Sequence, residues 1–279
     1  MEDEPLSQRA RALLDDDEDR HDEAIEVLRR AMVAREPSAV GLLARAYLDR
    51  GDRHRTIELL APRVRAGQAD LALQLADALA STGDVDRAED AYRTAVRAGD
   101  VAAMNTFGVF LRHRGRLREA ELLLRRAADA GDEMAVVNLV AVQWESHGDP
   151  RTALHTALDW ADEAKPSTLL GLGFIRAALG QFDEAERTYR LAAKLGAYRG
   201  HIELALFLQE VREDTDGAEA ELQTAEHEQE PGWALAYGQF LADVGRTSEA
   251  RAYLEHAVHW GSLEAADIIS ELDGDLDDD

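Results

Sequence analysis

Apolar residues between Met104 and Ala127 recur at the spacing of an amphipathic helix, with one interruption at Gly115. Phe107 and Leu111 continue the apolar stripe before the glycine, and a second stripe starts directly after it. This pattern predicts two helices joined by a tight turn. Such a pair cannot bury both apolar faces by itself, so it needs similar pairs on either side.

The same pattern recurs along the chain every 32 or 33 residues. One small residue of each second helix serves as a marker of the repeat: Ala24, Thr56, Ala88, Ala120, Ala153, Ala185, Ala218 and Ala250. Twelve positions before the marker another small residue recurs: Ala12, Ala44, Ala76, Gly108, Ala141, Gly173 and Gly238. Five positions before the marker are glycines that suit a turn: Gly51, Gly83, Gly115, Gly148, Gly180 and Gly245. A period of this length predicts stacked helical units.

The combined spacing resembles that of the tetratricopeptide repeat family, with some similarity to Sel1-like repeats. In the central repeat the resemblance is carried by Met104, Phe107, Gly108, Leu111, Gly115, Ala120, Leu124 and Ala127. It implies an all-α, right-handed α-solenoid of about eight helix hairpins with a C-terminal capping helix. We expect residues 1–272 to form this single elongated domain and residues 273–279 to form an acidic tail.

Two features depart from the regular repeat. Pro62 falls inside a predicted second helix, where it should end or kink that helix. The repeat around Gly200 to Asp216 carries one extra residue and has no glycine turn, so we expect distortion there.

The charge of the chain is concentrated at its ends. The formal net charge is −25: residues 1–26 hold eleven acidic residues and three arginines, and residues 200–279 hold twenty-one and three. This balance repels nucleic acid and anionic membranes and favours basic partners. The chain contains no cysteine, which excludes disulfides and thiol chemistry.

The beginning of the chain lacks the basic and apolar regions of a signal peptide, and no apolar stretch is long enough to span a membrane. We therefore expect a cytoplasmic protein that binds neither nucleic acid nor membrane.

In the resembled family, first helices line a concave groove, and the resemblance implies that residues 15, 11 and 8 positions before each marker face it. The resulting candidate partner-binding residues are Arg45, Asn105, Val109, Arg112, Asn138, Val142, Phe174, Phe207 and Gln239. The leading hypothesis is a non-catalytic scaffold or adaptor that holds a peptide or partner protein of basic or apolar character in this groove.

Two pairs of groove residues, each at the same repeat position in successive hairpins, have alternative interpretations. Asn105 and Asn138 resemble the asparagine ladders that hold a peptide backbone in some family members, but each amide could equally bond a neighbouring helix or water. Phe174 and Phe207 could anchor an apolar side chain of a partner or belong to the core.

A different hypothesis makes the protein a self-assembling structural or regulatory module. Arginines are concentrated in the middle of the chain, at Arg112, Arg114, Arg116, Arg118, Arg125 and Arg126. They could pair with the acidic ends of other copies, so a homo-oligomer stays open.

The sequence gives only weak indications of a catalytic or metal-binding site. The acidic run Asp15–Asp19 lacks the spacing of a calcium loop, and His256 and His259 lack the other residues of a zinc motif. We expect no catalytic residues, no metal and no cofactor.

Overall fold

The computed structural model describes residues 5–15, 20–147 and 150–277, and these ranges contain seventeen α-helices and no β-strand. The prediction of an all-α solenoid of helix hairpins with a final helix is confirmed. Gly148 and most of the acidic run, residues 16–19, lie outside the described residues, as do the last two residues of the acidic tail.

The chain forms two compact units, which we describe separately. Unit 1 comprises residues 1–100 and 258–263, and unit 2 comprises residues 101–257 and 264–279. The helices of unit 1 are α1 (Leu6–Leu14), α2 (His21–Val33), α3 (Ala39–Asp49), α4 (Arg53–Arg65), α5 (Ala72–Ser81) and α6 (Val85–Arg97). A short 3-10 helix at Ala69–Leu71 precedes α5.

The remaining helices follow the same alternation of first and second helices, and one last helix has no partner of its own. They are α7 (Val101–His113), α8 (Leu117–Asp129), α9 (Glu133–His147), α10 (Pro150–Trp160), α11 (Thr168–Ala178), α12 (Phe182–Lys194), α13 (Gly200–Arg212), α14 (Thr215–His227), α15 (Trp233–Asp243), α16 (Thr247–His259) and α17 (Leu263–Asp277).

The marker residues occupy equivalent positions in the core. All eight are 0% exposed: Ala24, Thr56, Ala88, Ala120, Ala153, Ala185, Ala218 and Ala250. The residues four positions later are buried as well: Leu28, Leu60, Tyr92, Leu124, Ala157, Tyr189, Leu222 and Leu254. This shared burial is the structural counterpart of the repeat, since each hairpin places the same side chains toward its neighbours.

Small residues in the first helix make room for large residues in the second helix of the same hairpin. A Cβ added to Gly173 would lie 2.9 Å from the ring of Tyr189, and one added to Gly238 would lie 2.8 Å from the Leu254 side chain. Glycine allows the two helices to approach this closely because it has no Cβ.

The repeat around residues 200–216 keeps its hairpin without a glycine. Glu213, five positions before the marker Ala218, adopts the left-handed conformation (φ 55°) that Gly83 and Gly115 adopt elsewhere (φ 78° and 72°). The Asp214 N–H donates to the carbonyl of Leu208, six residues back, whereas the equivalent bond at Asp84 spans five residues. The extra residue is therefore absorbed within a wider turn.

Of the two outcomes expected at Pro62, a helix end or a kink, the helix end does not occur. Helix α4 continues for three residues beyond Pro62, to Arg65. The proline ring lies on an exposed part of the helix. Proline removes one backbone N–H donor and strains the preceding turn. The helix continues on both sides despite this local destabilisation.

Helix α17 also extends further than expected. It runs to Asp277 and so includes residues 273–277, which the sequence pattern assigned to the acidic tail. Across the described ranges, no helix combines the length and the apolar character that a membrane crossing requires.

Candidate partner-binding face

Polar side chains at the candidate groove positions of neighbouring first helices bond one another in unit 2. Asn138 on α9 donates from Nδ2 to Oδ1 of Asn105 on α7, at 2.9 Å. Arg112 on α7 donates from Nε to Oε1 of Glu145 on α9, also at 2.9 Å. Both pairs join residues 33 positions apart, so the equivalent side chains of α7 and α9 lie on one continuous face.

The side-chain amides of Asn105 and Asn138 bond each other within the chain. Their mutual bond uses one of the two Nδ2 donors of Asn138 and accepts at Asn105 Oδ1, which leaves each amide further bonding capacity. Both side chains are half-buried. That they hold a peptide backbone stays a prediction.

Two candidate residues are core residues, which corrects the assignment of Val142 to a binding surface and favours the core alternative for Phe207. Val142 is 0% exposed and Phe207 is 5% exposed. The Phe207 ring packs against that of Tyr189, with centroids 5.3 Å apart. Burial at their shared repeat position differs between hairpins, since Val109 and Phe174 occupy the same position and are only half-buried.

The other candidates differ in exposure. Phe174 is half-buried and packs against the core residues Val140, Ala153, Ala157, Leu172 and Ile175. Val109 is also half-buried. In unit 1, Arg45 is exposed, and its Nη2 atom lies 3.1 Å from Oδ1 of Asp15.

Several of the arginines in the middle of the chain have local partners. Arg116 pairs with Glu119 at 2.6 Å, and the guanidinium of Arg114 lies 4.7 Å from the ring centroid of Phe110. Glu119 and Glu145 offset the charges of Arg116 and Arg112, which reduces the positive charge that the cluster offers to another copy of the chain. The structure thus adds no support for self-assembly through this cluster.

The strongest candidate site is a cavity in unit 2, which we call the acidic cleft. It has a volume of about 490 Å³ and is lined by α13, α14, α15 and α17, with apolar side chains that include Leu206, Ile268 and Leu272. Three exposed carboxylates complete its lining: Glu210, Asp243 and Glu271. Gln239, one of the candidate residues from sequence, lines the same cavity.

The carboxylates of the acidic cleft have no cationic partner within the described part of the chain, since none of its ion pairs includes Glu210, Asp243 or Glu271. Asp243 accepts a hydrogen bond from Gln209 Nε2 at 3.1 Å. Such exposed, unneutralised carboxylates give the cleft a negative potential that favours a cationic ligand.

A half-buried carboxylate on α13, that of Glu203, has a raised pKa, which favours its neutral form. Burial raises the pKa of Glu203, the charges of Glu230 and Glu210 raise it further, and Arg199 opposes the shift. A raised pKa means that nearby cations and hydrogen-bond donors do not make up for the hydration that the carboxylate loses on burial.

Helix α17 contributes to the acidic cleft, which was not predicted from the sequence. The sequence predicts only a capping role for this last helix. In the structure Ile268, Glu271 and Leu272 line the cavity. Their spacing of three and four residues was a detectable signal, because residues so spaced lie on one helix face.

Two segments match models of known protein families. Residues 69–98 and residues 101–130 each match a tetratricopeptide repeat model. No curated protein matches the chain.

Several solved structures share the fold. Yeast Tom70 aligns over 99% of this chain and 64% of its own, with 13% identity and a TM-score of 0.64. A Sel1 repeat protein from Oxalobacter formigenes aligns over 77% of this chain and 97% of its own, with 19% identity and a TM-score of 0.52. At these identities the likeness concerns the fold alone.

Proposed function

We propose that this chain, a tetratricopeptide repeat protein with resemblance to Sel1-like repeats, is a non-catalytic scaffold that holds a basic, partly apolar segment of a partner protein in its acidic cleft. Tetratricopeptide repeats support a protein-interaction role in general. The single observation that carries the specific proposal is the acidic cleft, where apolar side chains lie beside three exposed carboxylates.

The two kinds of lining residue serve different purposes. Leu206, Ile268 and Leu272 offer apolar surface to an aliphatic or aromatic side chain, and burial of such a side chain supplies most of the affinity. Glu210, Asp243 and Glu271 would attract lysine or arginine side chains of the same segment, which gives orientation and a faster association rate.

The described residues that line the cleft supply carboxylates, amides, aliphatic groups and the ring of Phe240, a set that suits binding. A scaffold of this kind fits the cytoplasm, and we include that location in the proposal.

Selection from a random peptide library with the full chain as bait tests the proposal. We expect the enriched peptides to combine lysine or arginine with leucine, isoleucine or phenylalanine. Their affinity, measured by fluorescence anisotropy, should fall at least about tenfold in a triple variant Glu210→Gln, Asp243→Asn, Glu271→Gln. It should also fall as the salt concentration rises.

A second triple variant controls for net charge. Asp86→Asn, Glu163→Gln and Asp216→Asn remove the same charge from exposed positions that do not line the cleft. The selected peptides should bind this variant as they bind the native chain. Equal binding to both triple variants, or no enrichment at all, would overturn the proposal.

A further inference from the structure

One histidine of unit 2 lies among carboxylates that come from several parts of a hairpin. His201 is the second residue of α13, Glu221 lies on α14, and Glu228 and Glu230 follow the end of α14. One ligand atom from each of His201, Glu228 and Glu230 lies within 4.8 Å of the others. The side chain of His201 is 15% exposed, so the ring has a defined, largely enclosed position.

The two ring nitrogens of His201 have different surroundings. Nδ1 lies 2.6 Å from Oε2 of Glu221, which is the distance of a strong hydrogen bond. A carboxylate at this distance holds the proton on Nδ1 and leaves the lone pair of a neutral imidazole on Nε2. A histidine that binds a metal usually has this arrangement, with its other nitrogen bonded to a carboxylate.

Nε2 lies 3.7 Å from Oε2 of Glu228. This distance is too long for a hydrogen bond. It is close to the separation of two ligands around a tetrahedral zinc ion, about 3.4 Å for metal–ligand distances of about 2.1 Å. The separation of the two atoms therefore suits a shared metal ion, whereas it is too long for a shared proton.

Glu230 is held in place by backbone donors. Its Oε1 atom accepts from the His201 N–H at 3.1 Å, and its Oε2 atom accepts from the Ile202 N–H at 3.2 Å. Each carboxylate oxygen retains a second lone pair, so these bonds orient the carboxylate without using its capacity as a ligand. Glu228 is 54% exposed, so it can adjust its rotamer to close the site.

We propose that His201 Nε2, Glu228 and Glu230 form a zinc-type site, with Glu221 positioning the histidine ring. The imidazole nitrogen favours zinc over magnesium or calcium, which prefer oxygen ligands. Three protein ligands leave a fourth position for water or for a ligand from another molecule. The metal would tie the connection between α14 and α15 to the N-terminus of α13. This inference departs from the expectation of no metal and is independent of the acidic cleft.

Calorimetric titration of the metal-free full chain with Zn²⁺ tests the site. We expect one equivalent to bind with micromolar or tighter affinity, while Mg²⁺ gives no heat at the same concentrations. An independent readout is the thermal midpoint, which should rise with Zn²⁺ because the metal binds the folded state.

Variants separate this site from adventitious binding. His201→Gln keeps a donor for Glu221 and should abolish the one-equivalent binding, and Glu228→Gln should weaken it at least about tenfold. His155→Gln is the control, since His155 lies 2.8 Å from Asp159 on an exposed helix face and forms an ordinary surface pair. Circular dichroism confirms that each variant is folded before titration.

The proposal is overturned if Zn²⁺ does not bind the native chain at micromolar concentration. It is equally overturned if His201→Gln binds Zn²⁺ as the native chain does, or if His155→Gln loses the binding. None of these results bears on the peptide selection with the acidic cleft, so the two proposals fail separately.

Discussion

Gly108 lies against Leu124 so closely that a Cβ added to the glycine would be 2.6 Å from the Leu124 Cγ atom. Leu124 is 0% exposed and has little room to move away. We expect Gly108→Ala to lower the free energy of unfolding by about 1–2 kcal/mol, because overpacking outweighs the better helix propensity of alanine. Urea titration followed by circular dichroism measures the change.

Gly41→Ala is the matched control for this effect. Gly41 also lies inside a first helix, but the nearest atom to an added Cβ would be 3.7 Å away. This variant should gain about 0.5–1 kcal/mol from helix propensity alone. If both alanine variants are stabilised alike, the close contact with Leu124 does not govern packing in the hairpin.

Glu213 has a backbone conformation that favours glycine, with φ at 55°. We expect Glu213→Gly to stabilise the chain by roughly 0.5–1 kcal/mol, since relief of the left-handed strain exceeds the added entropy of the unfolded chain. Thermal denaturation provides the measurement. Glu213→Ala removes the same charge but keeps the strain, so it should show no such gain; an equal gain would assign the effect to charge.

Pro62 interrupts the hydrogen bonding of α4 without ending the helix. Replacement by alanine restores the missing donor and should stabilise the chain by about 1–3 kcal/mol in urea titration. Pro5 precedes the first turn of α1, where no donor is needed, so Pro5→Ala should be nearly neutral. A stabilisation by Pro5→Ala that matches Pro62→Ala would contradict this explanation.

Asp77 provides a pH-dependent prediction. Burial raises its pKa to about 6, although Tyr92 Oη donates a hydrogen bond to Oδ1 at 2.8 Å, which opposes the shift. The folded pKa is above the unfolded value of 3.8, so folding favours the protonated acid. The stability that this group contributes is fully present below about pH 4 and is lost as the pH rises through about 6.

Asp77→Asn removes this titration. Relative to the native chain, the variant should become progressively more stable between pH 4 and pH 7, by at most about 3 kcal/mol. Urea titrations of both proteins at several pH values give the difference directly. A stability difference that does not change with pH would show that Asp77 titrates normally.

The repeat made most of the fold predictable. The markers from Ala24 to Ala250 recur because each fills an equivalent buried position, and the period alone locates them. The turn at Glu213 could not be predicted, because its left-handed backbone depends on the hairpin that surrounds it. The helix end that was one of two alternatives at Pro62 does not occur, since the local destabilisation by proline is small beside the packing of the whole helix.

The candidate site was less predictable than the fold. Repeat position placed Asn105 and Asn138 on one face, as their bond shows. It could not separate exposed from buried side chains at Val142 and Phe207, because that depends on the rotation of each helix against its neighbours. The zinc-type site joins residues 201 to 230 across a hairpin, a spacing that matches no short motif.

The packing of small residues against large ones has a consequence for how such a chain can gain repeats by duplication. Gly108 and Leu124 belong to the same hairpin, as do Gly173 with Tyr189 and Gly238 with Leu254. A duplicated segment of one period would therefore carry both halves of the fit with it. Growth by whole units needs no simultaneous second change elsewhere, whereas growth by any other length would separate the matched residues.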